Sequence, residues 1–276
     1  MSKLLIKKPT VSVEWLFNHL NDDNLVILDG SIKKVVNPSF DISEVQIPNT
    51  RFFDLKEAFS DTSAPFPTTC PTEEQFTKEA QKLGVNTDSA IVVYDDKGIY
   101  SSARVLWLFK AMGYDNVAVL DGGLPEWIKS GYKTEIKIEK PIEKGNFVAT
   151  FQPELMVFFD KVKEASENNT HLIMDARSEA RFKCLEAEPR AGLRMGTIPN
   201  SINLPYEDLL NENKLIPKQG IESKFQKVAK KDDALIFSCG SGITACVLAL
   251  GATIAGYQNI SVYDGSWTEW GSLVKD

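Results

Sequence analysis

The stretch Ala234-Leu235-Ile236-Phe237-Ser238-Cys239-Gly240-Ser241-Gly242-Ile243-Thr244-Ala245 places a cysteine between two apolar segments. The short run 234–237 predicts a buried strand, and the segment 243–255, rich in Ala and Leu, predicts a buried helix. A glycine-containing turn before a helix can direct backbone N–H groups inward, and the helix end adds partial positive charge. Both features stabilise a thiolate. The pattern therefore favours a nucleophilic Cys239 over a cysteine that only fills space in a tight turn.

The chain contains an internal duplication. Four segments of the first half recur in the same order in the second half: VILD at 26–29, IPNT at 47–50, MGY at 112–114 and VLDGGLPEW at 119–127. Their matches are LIMD at 172–175, IPNS at 198–201, AGY at 255–257 and VYDGSWTEW at 262–270. The repeat is far longer than that of solenoid proteins, so it indicates two copies of one domain.

Each copy alternates short β-branched runs with helical segments, which favours an α/β fold on a mainly parallel sheet. The predicted strands span 26–29, 91–94 and 117–120, then 172–175, 234–237 and 260–263. Further helices are predicted at 13–20, 73–83 and 101–112. In open parallel sheets, ligands bind beyond the carboxyl ends of the strands, and Cys239 lies just past such an end.

These elements predict a first domain at 1–132, a linker at 133–152 and a catalytic domain at 153–276. The linker alternates Lys and Glu and contains Pro141 and Gly145. Its Ile136 and Ile138 fit either an extended packed segment or a solvated tether, and the sequence does not choose between them.

The two copies differ at the turn itself. Alignment places Asp95 where the second copy has Cys239. We expect Asp95 to lie in an exposed loop of a domain without the chemistry, whose role is to cover the active face of its partner.

A charged segment at 177–190 follows the predicted strand 172–175 and contains Arg181 and Arg190. Guanidinium groups bind carboxylates bidentately, so these arginines are candidates for holding an anionic substrate beside the thiolate. The alternative is surface pairing with nearby acids, namely Glu179, Glu186 and Glu188.

The overall composition narrows the class of protein. The net charge of −7 disfavours nucleic acid and anionic membranes as partners, and no apolar run approaches the length of a membrane span. The N-terminus lacks the apolar core of a signal peptide. The four cysteines show neither a CxxC pair nor metal-ligand spacing, so we expect no metal site and a reducing, cytoplasmic location.

Together these segments resemble the tandem rhodanese-type sulfurtransferases over nearly the whole chain, and most closely their 3-mercaptopyruvate branch. The loop at 239–244 is similar to the active-site loop of that branch, and 181–190 is similar to its substrate-binding stretch. The segment 264–270 resembles the C-terminal motif of the family, and 121–123 is the corresponding segment of the first domain. The resemblance implies two rhodanese-like domains, each a mainly parallel sheet flanked by helices.

The resemblance also implies an activity. Sulfur would pass from 3-mercaptopyruvate to a thiol (thioredoxin or a small thiol) or to cyanide through a persulfide, releasing pyruvate without metal or organic cofactor. The catalytic residues would be Cys239 and Ser241. The substrate-binding residues would be Arg181, Arg190, Gly240, Gly242, Ile243 and Thr244.

This chain departs from the branch at two places. The branch brings a histidine and an acid from the first domain towards the loop serine, whereas Lys56 stands at the acid's position and 66–69 holds no histidine. A plain surface lysine is the simpler interpretation of Lys56. Cys184 stands where the family has glycine, and an inhibitory disulfide between Cys184 and Cys239 is a weaker hypothesis than an unreactive thiol.

Three alternatives remain beside this activity. A thiosulfate-specific enzyme would carry basic residues after the cysteine, where Gly240 and Ser241 stand. A cysteine phosphatase needs an arginine that closes a longer loop, and Ala245 is six residues after Cys239. A non-catalytic rhodanese-fold binding module is disfavoured by the intact cysteine loop.

Overall fold

The computed structural model describes residues 3–33, 43–138 and 140–275. Within these ranges the strands are β1 Thr10–Val11, β2 Leu25–Asp29, β3 Val45–Gln46, β4 Thr50–Phe52, β5 Ala90–Tyr94, β6 Val117–Leu120, β7 Glu135–Ile136, β8 Met156–Val157, β9 Leu172–Asp175, β10 Ser201–Asn203, β11 Leu210–Asn211, β12 Lys214–Leu215, β13 Leu235–Ser238 and β14 Ile260–Tyr263. The helices are α1 Val13–His19, α2 Glu73–Lys82, α3 Ser102–Ala111, α4 Gly123–Lys129, α5 Phe159–Asn168, α6 Glu179–Phe182, α7 Lys218–Gln226, α8 Ala245–Ala255 and α9 Ser266–Leu273. A 3₁₀ helix spans Tyr206–Leu209.

Two five-stranded sheets form the framework, and their strand orders are the same. The first sheet runs β1-β6-β5-β2-β4 and the second runs β8-β14-β13-β9-β10, with all neighbours parallel. Each strand of one sheet therefore has a counterpart in the other. The α/β fold in two copies, predicted from the repeat, is confirmed.

The predicted elements match the structure closely, except around the cysteine turn. The other strand and helix limits agree to within one residue at each end. The strand before the cysteine is shifted by one residue, to Leu235–Ser238, and α8 begins at Ala245 instead of 243. The apolar Ile243 belongs to the turn, because its side chain is buried without being helical.

Two apolar helices, α3 and α8, pack against each other and join the domains. Nearly every side chain of both helices is buried. A helix that is apolar on all sides must be covered on all sides, and each of these lies between its own sheet and the partner domain. Because α3 follows β5 and α8 follows β13, their contact brings the two equivalent turns towards the domain interface. None of the helices in the described ranges has the length and apolar character of a membrane span.

One ion pair crosses this interface in the interior. Arg104 of α3 and Asp264, just after β14, are 1% and 2% exposed and hydrogen-bond directly. Arg104 also donates to the carbonyl of Thr68 at 3.0 Å, and Asp264 accepts the N–H of Cys70 at 2.8 Å. Burial lowers the pKa of Arg104, but the charge and hydrogen bond of Asp264 together with the nearby Cys246 and Cys70 outweigh this, so the pKa lies above its usual value. The pair therefore holds the segment 68–70 against the second domain.

The segment predicted as a linker runs along the first domain. Its β7 pairs antiparallel with β3, and Phe147 is buried and donates its N–H to the carbonyl of Val85 at 3.0 Å. Ile136 and Ile138 are extended but exposed, and Glu139 lies outside the described residues. The division at 1–132, 133–152 and 153–276 stays a prediction.

We predict that Arg104→Met lowers the free energy of unfolding by about 3–5 kcal/mol, because it leaves Asp264 buried without a partner. Urea unfolding at neutral pH, followed by circular dichroism, measures this. The matched control is Lys218→Met on α7, whose exposed ion pair with Glu222 should change the value by less than about 0.5 kcal/mol. A loss below about 1 kcal/mol for Arg104→Met would contradict the role given to the pair.

Candidate active site

Cys239 follows the last residue of β13 and its side chain is 2% exposed. Its carbonyl accepts the N–H of Trp267 at 3.0 Å, and the carbonyl of Gly240 accepts the N–H of Thr268 at 2.9 Å. Both donors belong to the first turn of α9. The loop carbonyls are thus bound to α9, and the loop N–H groups remain available for another partner.

Ser266 ties the two ends of the turn together. Its Oγ accepts the N–H of Cys239 at 3.0 Å and that of Gly242 at 3.1 Å, and lies 3.9 Å from the Cys239 Sγ. The hydroxyl donates to the carbonyl of Tyr263 at 2.9 Å. Ser266 holds this position with φ 51°, a left-handed conformation that Gly123 adopts in the first domain with φ 53°. Sequence reasoning missed this residue, although the exchange of Gly123 for Ser266 between the repeats was a signal for it.

Several N–H groups of the loop form no hydrogen bond within the described residues. They belong to Gly240, Ser241, Ile243, Thr244 and Ala245. These donors surround a cysteine at the start of a helix, so the turn can act as an anion cradle. The sequence predicted such a cradle, and the first domain shows how it works.

The expectation that Asp95 lies in an exposed loop is wrong. Its side chain is fully buried, and one carboxylate oxygen accepts the N–H groups of Tyr100, Ser101 and Ser102 at 2.8, 3.0 and 2.9 Å. The other oxygen accepts the N–H of Lys97 at 2.9 Å. A buried carboxylate requires such donors, and here the turn before α3 supplies them. The first-domain turn is therefore an anion cradle filled by its own side chain.

Arg181 and Arg190 both approach the turn at Gly240. A Cβ atom at Gly240 would lie 3.2 Å from Nη2 of Arg181 and 3.8 Å from Nη1 of Arg190, so glycine leaves room for the guanidinium groups. Nη2 of Arg190 donates to Oγ of Ser241 at 3.1 Å. Burial lowers the pKa of Arg190. The structure thus brings together two cations and the cysteine turn.

Glu188 fixes the direction of Arg181. The ion pair between them is mostly buried, so it differs from the surface pairing considered from the sequence. Glu188 also binds Arg177 at 2.6 Å, and Arg177 is held by Asp175 and by the ring of Trp267, 5.0 Å away. These ion pairs form a continuous network from the end of β9 to the cysteine turn. The role of Arg177 was not recognised from the sequence.

The other predicted loop residues, and Cys184 outside the loop, each have a local structural explanation for the residue type at that position. Gly242 adopts φ 73°, and a Cβ atom there would lie 2.5 Å from the carbonyl oxygen of Asp264. Ile243 is buried, and Thr244 precedes the first residue of α8 without capping it through its side chain. Cys184 is exposed with φ 58°, a backbone conformation that favours glycine.

A cavity of about 600 Å³ lies between the domains, next to the turn. The second domain contributes Arg190, Ser241 and Ile243 to its wall, and Cys239 is not on the wall. The first domain contributes the rest: Ile32, Lys33, Lys56, Glu57, Ser60, Asp61, Thr62, Ala64, Pro65, Phe66, Pro67, Thr68 and Tyr100.

Thr68, which adopts φ 60°, donates its hydroxyl to the carbonyl of Ser241 at 2.7 Å. Neither His19 nor His171 lines the cavity. Arg190 donates to the hydroxyl of Ser241, and Thr68 donates to its carbonyl. In the described ranges, no group of three or more His, Cys, Asp or Glu side chains could hold a metal ion.

Comparisons with known proteins agree with this architecture. A model of the rhodanese-like domain matches residues 12–130 and 159–273. Thiosulfate/3-mercaptopyruvate sulfurtransferase 1 of Arabidopsis thaliana is 38% identical, and the alignment covers 98% of this chain and 77% of that protein. The 3-mercaptopyruvate sulfurtransferase of Escherichia coli K12 is 35% identical over 95% of this chain and 94% of its own. The crystal structure of SseA from Escherichia coli superposes with a TM-score of 0.85 at 33% identity, covering 95% of this chain and 99% of SseA.

We predict that Asp95→Ala lowers the free energy of unfolding by about 2–3 kcal/mol, because buried N–H groups lose a charged acceptor. Urea unfolding measures the loss, with Asp115→Ala at an exposed position as the control. Formate should restore part of the stability of Asp95→Ala by entering the vacated cradle, and chloride at equal ionic strength should not. An equal response of the wild type and the variant to formate would contradict the cradle.

Proposed function

We propose that this chain, which belongs to the family of rhodanese-like domain proteins, transfers sulfur from 3-mercaptopyruvate to a thiol or cyanide. The sulfur is carried as a persulfide on Cys239, and pyruvate is released. The observation that carries this proposal is the turn that bears Cys239, in which backbone N–H groups have no hydrogen bond within the described residues and two guanidinium groups lie beside Gly240.

In the first half-reaction the Cys239 thiolate attacks the sulfur of 3-mercaptopyruvate. A sulfur–sulfur bond forms while the carbon–sulfur bond breaks, and its electron pair passes to the departing three-carbon fragment. That fragment leaves as the enolate of pyruvate and then takes a proton on carbon. Arg181 and Arg190 bind the carboxylate and carbonyl oxygens, so positive charge stabilises the negative charge that develops in the transition state.

The turn around Asp95 supports a persulfide intermediate. A carboxylate oxygen of Asp95 is three bonds from Cα, and so is the outer sulfur of a persulfide on Cys239. The N–H groups of 97, 100, 101 and 102 bind the carboxylate. Counted from the end of the strand, the counterpart of 97 is Ser241, and counted from the first residue of the helix, the counterparts of 100–102 are Ile243, Thr244 and Ala245. None of these four N–H groups forms a hydrogen bond within the described residues. The second-domain turn can therefore hold the outer sulfur as an anion.

In the second half-reaction an acceptor takes the outer sulfur. A thiolate or cyanide attacks it, the sulfur–sulfur bond to Cys239 breaks, and Cys239 leaves as a thiolate in a ping-pong cycle. Thioredoxin, a small thiol and cyanide are the proposed acceptors. We also propose a reducing, cytoplasmic location, which is supported by the four free cysteines.

Ser241 acts without a histidine relay in this proposal. Its hydroxyl receives a hydrogen bond from Arg190, and its carbonyl receives one from Thr68. Ser241 therefore orients Arg190 towards the donor and connects the turn to the first domain.

Thiosulfate is the second candidate donor. The Arabidopsis relative is named for both donors, and the guanidinium groups beside Gly240 offer positive charge to any small anion. The planar carboxylate and keto group of 3-mercaptopyruvate suit two planar guanidinium groups better than a tetrahedral dianion does.

We predict that incubation with 3-mercaptopyruvate adds the mass of one sulfur atom to the intact protein, and that thiosulfate adds less under the same conditions. The adduct should be absent from Cys239→Ser and present in Cys184→Ser, the matched control at an exposed thiol. Intact-protein mass spectrometry before reduction gives the answer. An adduct that persists in Cys239→Ser would exclude the mechanism.

We predict that Arg190→Ala raises the KM for 3-mercaptopyruvate about 10–100-fold, because a charged hydrogen bond to the donor is lost. Arg190→Lys should give an intermediate value, since lysine keeps the charge without the planar fork. Steady-state pyruvate release measures both variants, and an unchanged KM in Arg190→Ala would remove this residue from donor binding.

A further inference from the structure

The cavity is larger than the donor requires. Its volume of about 600 Å³ lies in the range of sites for whole small-molecule ligands, roughly 300–1,000 Å³, whereas 3-mercaptopyruvate is a three-carbon acid. In the proposed function the donor binds at the end of the cavity formed by Arg190 and Ser241. The opposite wall belongs to the first domain alone, so that wall can serve a second molecule.

Lys56 stands on this wall in a firmly held turn. The N–H groups of Lys56 and Glu57 both donate to Oδ1 of Asp54 at 3.1 Å. The flanking Leu55 and Phe59 are buried, and Phe59 stacks on Phe53. The backbone that carries the lysine is therefore fixed, while its side chain is exposed to the cavity.

The charges around Lys56 favour an anion. Among the described residues no acid forms an ion pair with its ammonium group. The wall also holds the cations Lys33 and Arg190 and the acids Glu57 and Asp61. Asp61 accepts hydrogen bonds from the hydroxyl and N–H of Ser63, at 2.6 and 2.9 Å, which lower its pKa and stabilise its charged form. Three cationic side chains thus face two carboxylates on the cavity wall, which leaves an excess of positive charge.

We propose that this part of the cavity is the acceptor subsite and takes a small thiol that carries a carboxylate, which Lys56 binds. The inference rests on the proposed function and extends it. The acceptor's thiolate reaches past Arg190 and Ser241 to the outer sulfur on Cys239. A sulfur–sulfur bond forms with the acceptor, the bond to Cys239 breaks with its electrons returning to Cys239, and the acceptor leaves as a persulfide.

The test compares acceptors of different charge in the full-length protein. The thiols are 3-mercaptopropionate (anionic), 2-mercaptoethanol (neutral) and cysteamine (cationic), and the variants are Lys56→Met and Lys56→Arg. Lys56→Met should raise the KM for 3-mercaptopropionate about tenfold, because an ion pair in a partly enclosed site is lost. The KM for 2-mercaptoethanol should stay the same, and Lys56→Arg should stay near the wild type. Lys161→Met on α5, away from the cavity, is the matched control.

Persulfide formation is measured separately by mass spectrometry, so that failure of the proposed function can be distinguished from failure of the acceptor subsite. If the wild type forms no persulfide, the proposed function fails and this inference fails with it. If the persulfide forms at the same rate in the wild type and Lys56→Met, the variant is folded and the donor site is intact. In that case an equal KM change for all three thiols, or no change for 3-mercaptopropionate, would overturn the acceptor subsite alone.

Discussion

The buried ion pair between Arg104 and Asp264 is the constraint on which the site depends. Neither charge is stable in the interior without the other, and each comes from a different domain. The pair can therefore form only when α3 and α8 pack together. The same contact places Thr68 on the carbonyl of Ser241 and Cys70 on Asp264. The buried ion pair, the docking of the segment 68–70 and the cavity wall thus all depend on the same contact between the domains.

The equivalent turns of the two domains have a similar structure but different chemistry. In the first domain the turn binds its own carboxylate, which stabilises the start of α3 and leaves no room for a ligand. In the second domain a shorter side chain leaves the equivalent donors unused, and a serine replaces glycine to hold the turn. The first domain remains part of the site because it supplies the opposite wall. The first domain has no thiol at its turn, but it is not a passive cover.

Much of the fold could be predicted because the signals were local or repeated. Short β-branched runs marked the six described strands of four or five residues to within a residue, and the matched segments revealed two copies. The predicted ends of the strand and the helix were wrong at the cysteine turn. Ile243 is buried without being helical, and an apolar residue next to an apolar helix has the same hydrophobicity pattern in either case. Asp95 was placed wrongly for a related reason. A polar residue in a loop is ordinarily exposed, and only the converging N–H groups of the turn make its burial favourable.

The sequence by itself determined the α/β duplication, the presence of a thiol in the second copy of the turn but not in the first, and the presence of Arg181 and Arg190 near a strand end. These follow from periodicity and spacing, which are properties of neighbouring residues. Only the tertiary structure decided that Ser266 holds the turn, that Glu188 directs Arg181 and that Lys56 faces a cavity next to Ser241. Each of these contacts joins residues from separate elements. Their geometry is set by helix packing and by the burial of paired charges, which no local pattern records.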